Sequence, residues 1–307
     1  MHNLLQSILP YLPPTLVRTV VQRTLRPNAP CVTDFTAAIL FADISGFTPL
    51  TELLARRGAE GPEELTRLLN TYFSALISII EQGGGEVAKF SGDALTVIFP
   101  ATDEPLITAV GRAIHVANAV QRSMSEHARI TTSVGTLQLA LKIGIGAGEV
   151  RTFQVGGVFG RWEYLVAGDP IRQATAAENR AAPNEVVCSP EVQQLTSPES
   201  PPPHALAVPI SSETDAAPFV QSLIGYVPSA VRAWLEGGLS EWIAVLRPIT
   251  VLFLGIGGLD YRLPDALERV HACMCALQEA TYRHEGSINK LIVDDKGTVL
   301  MILLDTV

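Results

Sequence analysis

The chain has 307 residues, of which 47% are hydrophobic, and its net charge is -9 at pH 7. This length gives room for about two domains with a sizeable core. The acidic balance excludes a protein that binds nucleic acid or anionic membranes non-specifically, because such proteins depend on clustered Lys and Arg.

The cysteines and the apolar runs indicate a cytoplasmic protein. Cys31, Cys188, Cys273 and Cys275 have neither the spacing of a zinc site nor that of a disulfide framework, which indicates reduced thiols. No apolar run reaches the ~18 residues of a membrane-spanning helix. The N-terminus lacks the basic region of a signal peptide. We therefore expect no integral membrane segment.

Residues 1–33 are predicted to form a helical extension. Prolines at 10, 13 and 14 break the segment, and a helix is expected from about Thr15 to Leu25. Basic residues are few for lipid binding, so packing on the following domain is favoured over a membrane-surface role.

The stretch Thr36–Thr48 combines an apolar run with a carboxylate and a small-residue turn. Ala37–Ala42 predicts a strand buried on both faces, although periodicity alone leaves a buried helix segment open. Asp43 follows this run, and Ser45-Gly46 then opens a helical pattern. A carboxylate beside turn N–H groups suits a hard cation and its phosphates. The alternative is a helix N-cap formed by Asp43 or Ser45.

A second carboxylate follows a predicted core helix. Apolar residues between Leu65 and Ile80 keep the helical period, Pro62 marks the start, and Gly83–Gly85 marks the stop. Two strand-like runs then flank Ser91-Gly92, which predicts a hairpin with Asp93 at its turn. If this hairpin pairs beside the Asp43 strand, the two carboxylates converge as a two-metal phosphoryl-transfer site requires.

The remaining elements complete an alternating pattern over residues 34–196. We predict helices at Leu106–Val120 and Ile171–Ala182 and strands at Leu137–Val150, Val155–Ala167 and Glu185–Ser189. The order β-α-β-β-α-β predicts an α+β, ferredoxin-like sandwich.

The last third of the chain contains a linker and a partial repeat. Residues 197–245 are predicted to be a Pro/Ser-rich linker and helical connector. Residues 246–307 repeat the strand, helix and hairpin, but Gly255 stands where the first copy has Asp43. We expect 34–195 to be an ordered unit and the partial copy to pack against it or another chain, or to remain loosely ordered.

Three motifs carry a family resemblance. Phe41-Ala-Asp-Ile-Ser-Gly-Phe-Thr48, Lys89-Phe-Ser-Gly-Asp-Ala-Leu95 and Lys142-Ile-Gly-Ile-Gly-Ala-Gly148 together resemble the class III nucleotidyl cyclases, most closely the soluble, bicarbonate-responsive adenylyl cyclase type. The resemblance covers roughly residues 34 to 200, with a weaker echo over 246 to 307. It implies the cyclase form of the predicted sandwich, with a truncated second catalytic domain.

The resemblance also implies roles for particular residues. Two Mg²⁺ or Mn²⁺ ions would be held by Asp43, Asp93 and the backbone of Ile44. The phosphate cradle would be formed by Ile44, Ser45, Gly46, Phe47 and Thr48. Lys290 matches the lysine with which a second domain reads adenine, and a solvated lysine is the alternative. A phosphate-binding arginine of the family falls at Ala140, and Lys142, on the same strand face, is its stand-in.

Departures from the family pattern indicate a shared active site. Arg172 and Ala176 occupy positions where homodimeric relatives carry a transition-state Asn and Arg. The resemblance implies that a second catalytic domain supplies these groups, from a part that the truncated copy in this chain lacks. This fragment alone should therefore have almost no activity. Lys89 matches a lysine of the bicarbonate site, but Thr175 replaces its arginine, which speaks against bicarbonate activation.

The preferred function is an adenylyl cyclase that converts ATP to cyclic AMP and pyrophosphate in intracellular signalling. The alternatives are a nucleotide-binding regulatory module without turnover and a guanylyl cyclase that uses GTP. A palm-like polymerase or diguanylate cyclase shares the carboxylates, but the sequence lacks a GGDEF-like signature.

Overall fold

The computed structural model describes residues 2–23, 28–45, 47–56, 60–126, 129–196, 216–228, 231–232, 235, 249–294 and 297–305. The helices are α1 His2–Ile8, α2 Pro14–Gln22, α3 Phe47–Ala55, α4 Glu60–Gln82, α5 Leu106–Glu126, α6 Asp169–Arg180, α7 Pro190–Leu195, α8 Val220–Leu223 and α9 Ala266–Arg283. The strands are β1 Cys31–Ser45, β2 Glu86–Ser91, β3 Ala94–Pro100, β4 Arg129–Thr132, β5 Gly135–Gln138, β6 Ala140–Gly156, β7 Trp162–Ala167, β8 Val186–Cys188, β9 Ile249–Ile256, β10 Ser287–Asp294 and β11 Gly297–Asp305. Short 3₁₀ turns lie at Leu9–Tyr11, Val158–Gly160, Ala217–Phe219 and Ile224–Tyr226.

The chain divides into two compact units, each named here after one lysine or carboxylate that it contains. The Asp43 unit comprises Phe35–Val150 and Asp169–Val208. The Lys290 unit comprises Met1–Asp34, Arg151–Gly168 and Pro209–Val307. Both units are discontinuous in the chain, whereas the predicted domains are continuous. The predicted domain boundaries stay a prediction. Residues 197–215 of the predicted linker lie outside the described residues.

The Asp43 unit is built on a sheet in which the strands follow the order β2-β3-β1-β6. β3 pairs antiparallel with β1, from Ala37 opposite Pro100 to Asp43 opposite Ala94. β8 pairs parallel with β6. Helices α4 and α5 fall between the strands in the chain, so the predicted α+β order is confirmed. The apolar run before Asp43 is a strand, as preferred, and not a helix.

The core of this unit follows from the apolar residues of β1, β3, β6 and the helices. Ile39 and Leu40 of β1 are fully buried, as is Phe99 of β3. Helix α4 contributes Leu76 and Ile80, and α5 contributes a further apolar face. Each fully buried aliphatic side chain contributes about 1.5–3 kcal/mol relative to exposure, so this core holds the sheet that carries the carboxylates.

A buried arginine fixes the ends of several elements of the Asp43 unit. Arg112 of α5 forms an ion pair with Glu104, with 2.6 Å between Nη2 and Oε1, and both side chains are 5% exposed. Its guanidinium also donates to the carbonyls of Gly84 at 2.7 Å and Pro100 at 2.9 Å. This network joins the turn after α4, the end of β3 and the start of α5. The glycine run therefore is a helix stop and turn, as predicted.

The predicted strand Leu137–Val150 was wrong in its extent. The structure has a small hairpin, β4–β5, and then the much longer strand β6. Gly135 at the hairpin turn has a φ of 125°, which side chains rarely adopt, and the Thr132 hydroxyl donates to its carbonyl at 2.8 Å. Apolar residues recur at Leu137, Leu139 and Leu141 across this point, so the sequence pattern does not show the break before β6.

The Lys290 unit contains the predicted partial repeat. Its sheet has the order β10-β11-β9, which repeats the order β2-β3-β1. Helix α9 and this sheet pack against Phe153, Val155 and Leu165 of the segment 151–168. The buried Gln278 of α9 accepts from the N–H of Val158 at 3.1 Å. The described part of 246–307 therefore packs with the segment 151–168, which belongs to the same compact unit. The expectation of an ordered domain over 34–195 stays a prediction.

The N-terminal helices also belong to the Lys290 unit. Apolar residues of α1 and α2 pack with Trp162, Val220 and Tyr226, which confirms a packed helix at this place. Asp34 and Arg151 form a two-point ion pair with distances of 2.6 and 2.8 Å. All four cysteines are free thiols. None of the helices described for this chain is long and apolar enough to cross a bilayer.

Candidate functional site

Two carboxylates meet at one end of the central strands in the Asp43 unit. Asp43 lies near the end of β1 and faces Ala94, the first residue of β3. Asp93 immediately precedes Ala94 in the tight turn between β2 and β3, where Gly92 adopts a φ of 69°. The hairpin pairs beside β1 as predicted, and this pairing places the two acids on rigid neighbouring elements.

The electrostatic environment of Asp43 favours a neutral carboxyl or a bound cation. Burial, followed by the charges of Asp93 and Glu178, raises its pKa from 3.8 to about 6. The ammonium of Lys142 and the N–H of Ile44 oppose this rise only in part. Carboxylates that repel one another in a partly buried place are the arrangement that a divalent cation would relieve.

The predicted phosphate cradle follows Asp43 directly. Ile44 is 2% exposed, Ser45 ends β1, and α3 begins at Phe47. Gly46 lies outside the described residues, and of Phe47 and Thr48 only the helical backbone is described. The first N–H groups of a helix have no partner within it and attract anions, which agrees with the predicted use of this backbone.

Lys142 lies on β6, the strand that follows β1 in the sheet order, and it has a carboxylate partner. Its Nζ is 3.0 Å from Oε1 of Glu178 on α6. The side chains are 21% and 8% exposed, so this pair is shielded from water on most sides. Sequence reasoning predicted Lys142 but missed Glu178. The sequence did offer a signal for Glu178, because this acid lies seven residues after Ile171 and hence on the apolar face of the predicted helix.

The oxygen atoms at this site suit a hard cation that is bound partly by the protein and partly by substrate phosphates. The oxygens of Asp43, Asp93 and the backbone of Ile44 are of the kind that Mg²⁺ and Mn²⁺ prefer. Within the described residues, no group of three or more His, Cys, Asp and Glu side chains is arranged to hold a metal ion by itself. Magnesium is usually bound through one or two carboxylates together with substrate phosphates, so the residues present fit such an ion.

Lys290, the predicted base-reading residue, lies on β10 of the Lys290 unit opposite Met301. It is partly buried, and burial lowers the pKa of its ammonium. The pairing of β10 with β11 shifts register between Ile288 and Lys290. The role of Lys290 in recognising adenine stays a prediction.

The positions where the family pattern is broken lie on α6. Thr175 is 4% exposed, and its hydroxyl lies 3.1 Å from the carbonyls of Ile171 and Arg172, so it is engaged with its own helix. Arg172 and Ala176 are exposed, and Arg172 lies 3.4 Å from Asp169. Lys89 lies on β2 opposite Thr96. The expectation that bicarbonate does not activate this chain stays untested.

Comparisons with known proteins agree with the motifs. The sequence profile described as "Adenylate and Guanylate cyclase catalytic domain" matches residues 33–204. The chain is 26% identical to adenylate cyclase type 10 of Oryctolagus cuniculus over 331 aligned residues, which cover 91% of this chain and 20% of the relative. It is 30% identical to an adenylate cyclase of Anabaena cylindrica, over 53% of this chain and 31% of the relative.

Solved structures of cyclases also resemble part of the chain. The adenylyl cyclase CyaB from P. aeruginosa is 26% identical, with a TM-score of 0.46 and coverage of 54% of this chain and 82% of that chain. This chain spans about a fifth of the length of its mammalian relatives. The profile match covers more than half of the 307 residues. The chain therefore belongs to the adenylate and guanylate cyclase catalytic domain family.

Proposed function

We propose that this chain is the metal-binding part of an adenylyl cyclase that converts ATP to cyclic AMP and pyrophosphate. The observation that carries the proposal is the convergence of Asp43 and Asp93 beside the start of α3, with a raised pKa at Asp43. Family membership supplies the reaction class, because the relatives are named as adenylate cyclases.

Each residue of the site has a chemical task in this proposal. Asp43, Asp93 and the Ile44 backbone would hold two Mg²⁺ or Mn²⁺ ions, whose charge would favour ionisation of the ribose 3′-hydroxyl and neutralise the triphosphate. N–H groups between Ile44 and Thr48 bind phosphate oxygens. Lys142 places its positive charge near the same phosphates.

The reaction is an in-line displacement within one nucleotide. The ribose 3′-oxygen forms a bond to the α-phosphorus, the bond from that phosphorus to the bridging oxygen breaks, and pyrophosphate leaves with the electron pair. The 3′-hydroxyl proton passes to solvent or a nearby base. Holding the two oxygens in line contributes several kcal/mol, about 7–11 kcal/mol in well-oriented systems.

The second catalytic domain is the proposed source of base recognition and transition-state contacts. An ammonium donates hydrogen bonds and never accepts them, so Lys290 near a purine edge favours N1 of adenine over N1–H of guanine. ATP is therefore preferred over GTP. The Asn and Arg that Arg172 and Ala176 do not supply would come from a complete second cyclase domain. We expect this assembly to act in the cytoplasm.

A regulatory module that binds nucleotide without turnover is the second candidate. The specific observation in its favour is the pairing of Lys142 with Glu178, because this ammonium already has a carboxylate partner and Ala140 supplies no replacement. Pyrophosphate release separates the two candidates, since a module would bind Mn²⁺-ATP without releasing pyrophosphate.

The test uses the 307-residue chain and a longer parent protein, defined as one in which this chain is joined to a complete second cyclase domain. We expect Asp43→Asn and Asp93→Asn to reduce cyclic AMP formation by the parent at least about a thousandfold, which corresponds to ~4 kcal/mol of transition-state stabilisation. The exposed Asp103→Asn is the matched control and should leave the rate unchanged. The 307-residue chain alone should show almost no turnover. A near wild-type rate in Asp43→Asn would contradict the assignment.

A further inference from the structure

Glu178 is a buried acid that the predicted mechanism does not use. It lies on α6, and its side chain is 8% exposed. Acids are seldom buried unless a partner compensates the loss of hydration, and Lys142 is that partner here. Burying two charges costs free energy of desolvation, so a buried ion pair seldom stabilises a fold by much. Its position can therefore point to a role other than stability.

The fold brings this pair together through a close contact between α6 and β6. A Cβ added at Gly144 would lie 2.0 Å from the carbonyl oxygen of Ala174 and 2.4 Å from the nitrogen of Glu178. Only glycine allows the helix backbone to approach the strand this closely. Lys142 lies two positions before Gly144 and hence on the same strand face, where the Glu178 carboxylate reaches it at 3.0 Å.

The pair lies near Asp43, because β6, which carries Lys142, is the neighbour of β1 in the sheet. Among the charges that shift the pKa of Asp43, Asp93 is the strongest, Glu178 follows, and Lys142 opposes them. Three carboxylates and one ammonium therefore share one electrostatic environment within the Asp43 unit. A change at Glu178 alters both the field at Asp43 and the freedom of Lys142.

We propose that Glu178 is a positioning residue that holds Lys142 beside Asp43 in the nucleotide-free site and releases it to an incoming triphosphate. This inference rests on the proposed function. The Glu178 carboxylate adds to the attraction for a divalent cation, and it prevents the Lys142 ammonium from pairing with Asp43 in the cation's place. When the triphosphate arrives, its oxygens compete with Glu178 for Lys142.

The inference predicts opposite effects of one substitution on two ligands. Glu178→Gln removes a negative charge and frees Lys142, so Mn²⁺ binding should weaken and metal-free triphosphate binding should strengthen. Mutation of groups around the ligands of a metal ion typically changes metal affinity about 10–100-fold. Glu178 acts on Asp43 by its charge rather than by contact, so we expect a change at the lower end, about tenfold. If Glu178 had only a structural role, its substitution would lower the folded fraction and weaken the binding of both ligands together.

The experiment measures Mn²⁺ binding by electron paramagnetic resonance without nucleotide, and binding of a fluorescent N-methylanthraniloyl-ATP in EDTA. Both are done on the 307-residue chain, with Glu191→Gln, an exposed acid on α7, as the charge-matched control. The Lys142→Gln variant should bind the metal-free triphosphate more weakly. In that background, Glu178→Gln should lose most of its gain in triphosphate affinity, because the gain acts through Lys142.

Several outcomes would overturn the inference. An equal gain with and without Lys142 would show that Glu178 acts only by its charge, and an unchanged Mn²⁺ affinity would show that it does not act on the metal site. If Glu178→Gln lowers the folded fraction by circular dichroism, Glu178→Asp replaces it, since this variant keeps the charge and shortens the reach to Lys142. Glu178→Asp should then keep most of the Mn²⁺ affinity and bind triphosphate more tightly, and the absence of that gain would also overturn the inference.

Absence of the metal and nucleotide site, on which the proposed function depends, gives a different result. In that case the unmodified chain binds neither Mn²⁺ nor the fluorescent nucleotide with Mn²⁺ present. If the unmodified chain binds both and Glu178→Gln changes neither, the proposed metal and nucleotide site stands and only the role of Glu178 is rejected.

Discussion

The strands β2-β3-β1 and β10-β11-β9 are two versions of one arrangement. Both sets are antiparallel with the same order. The hairpin of each set also shifts register beside a lysine, between Val87 and Lys89 in the first and between Ile288 and Lys290 in the second. A shared irregularity at the same place supports the internal repeat more strongly than the strand order does, because bulges are specific features of a fold.

The register identifies which residue replaces Asp43 in the second set. Lys89 faces Thr96, which faces Phe41 on β1. Lys290 faces Met301, which faces Phe253 on β9. Asp43 lies two positions after Phe41, and Gly255 lies two positions after Phe253. The predicted equivalence of Asp43 and Gly255 is therefore confirmed by the pairing. The same scaffold carries a carboxylate in one set and none at that place in the other.

The two sets also differ in what covers the first strand. β1 lies between β3 and β6, and its central residues are buried. Within the described residues, β9 pairs with β11 alone, and Leu252 and Phe253 are 46% and 65% exposed. Enclosure by low-dielectric neighbours raises the pKa of Asp43. An acid at position 255 would lack that enclosure, so the strand order alone does not make a metal site.

The largest expected effect comes from a substitution that disrupts the buried ion pair of the Asp43 unit. Arg112→Met removes one member of a buried ion pair and leaves Glu104 uncompensated, so we expect a loss of about 3–5 kcal/mol in the free energy of unfolding. Urea unfolding followed by circular dichroism measures it. The control is Arg262→Met in the Lys290 unit, whose ion pair with Asp260 is exposed and should contribute little. A similar loss in both variants would contradict the assigned role of burial.

A smaller effect is expected from one added methyl group on each side of the comparison. In Gly144→Ala the new Cβ would overlap the backbone of α6, and overpacking of this kind typically costs about 1–3 kcal/mol. Gly255→Ala meets no atom within 4 Å, so its stability should change by no more than about 0.5 kcal/mol. Thermal unfolding of the two variants is the measurement, and equal destabilisation would rule out the tight contact at Gly144.

The smallest effect concerns the pH dependence of stability and sharpens the comparison of Asp43 with Gly255. Because the pKa of Asp43 is raised from 3.8 to about 6, the folded protein binds this proton more tightly than the unfolded chain does. The stabilisation that Asp43 gives to the folded state through this proton is complete below pH 3.8 and is lost as the pH rises through about 6. In EDTA, Asp43→Asn should therefore be more stable than the unmodified chain at pH 7, and this advantage should shrink as the pH falls towards 4.

Urea unfolding between pH 4 and pH 8 measures this difference. Gly255→Asp is the matched variant, and we expect its stability to differ from that of the unmodified chain by a pH-independent amount above pH 5, since its carboxylate is solvated. A constant offset between Asp43→Asn and the unmodified chain across the whole range would contradict the raised pKa of Asp43.

Much of the fold could be predicted because its signals are local. The helical period of α4 and the apolar run of β1 are strong patterns, and the Ser91-Gly92-Asp93 turn is a short-range hairpin signal. The β4–β5 hairpin was missed because its strands are short and merge with the hydrophobic residues of β6. Boundaries also moved, since α4 begins at Glu60, before Pro62, and β1 extends well beyond Ala37–Ala42.

The sequence by itself determined the strand, turn and helix that carry Asp43 and Asp93, because periodicity, turn chemistry and motif spacing are properties of neighbouring residues. Only the tertiary structure decided that Glu178 meets Lys142, that Arg112 holds the turn after α4, and that Asp43 is partly buried while Gly255 is exposed. Those contacts join residues far apart in the chain. The physical reason is that the burial of a charged group depends on which elements pack together, and burial sets both its pKa and the strength of its interactions. No local sequence pattern records that packing.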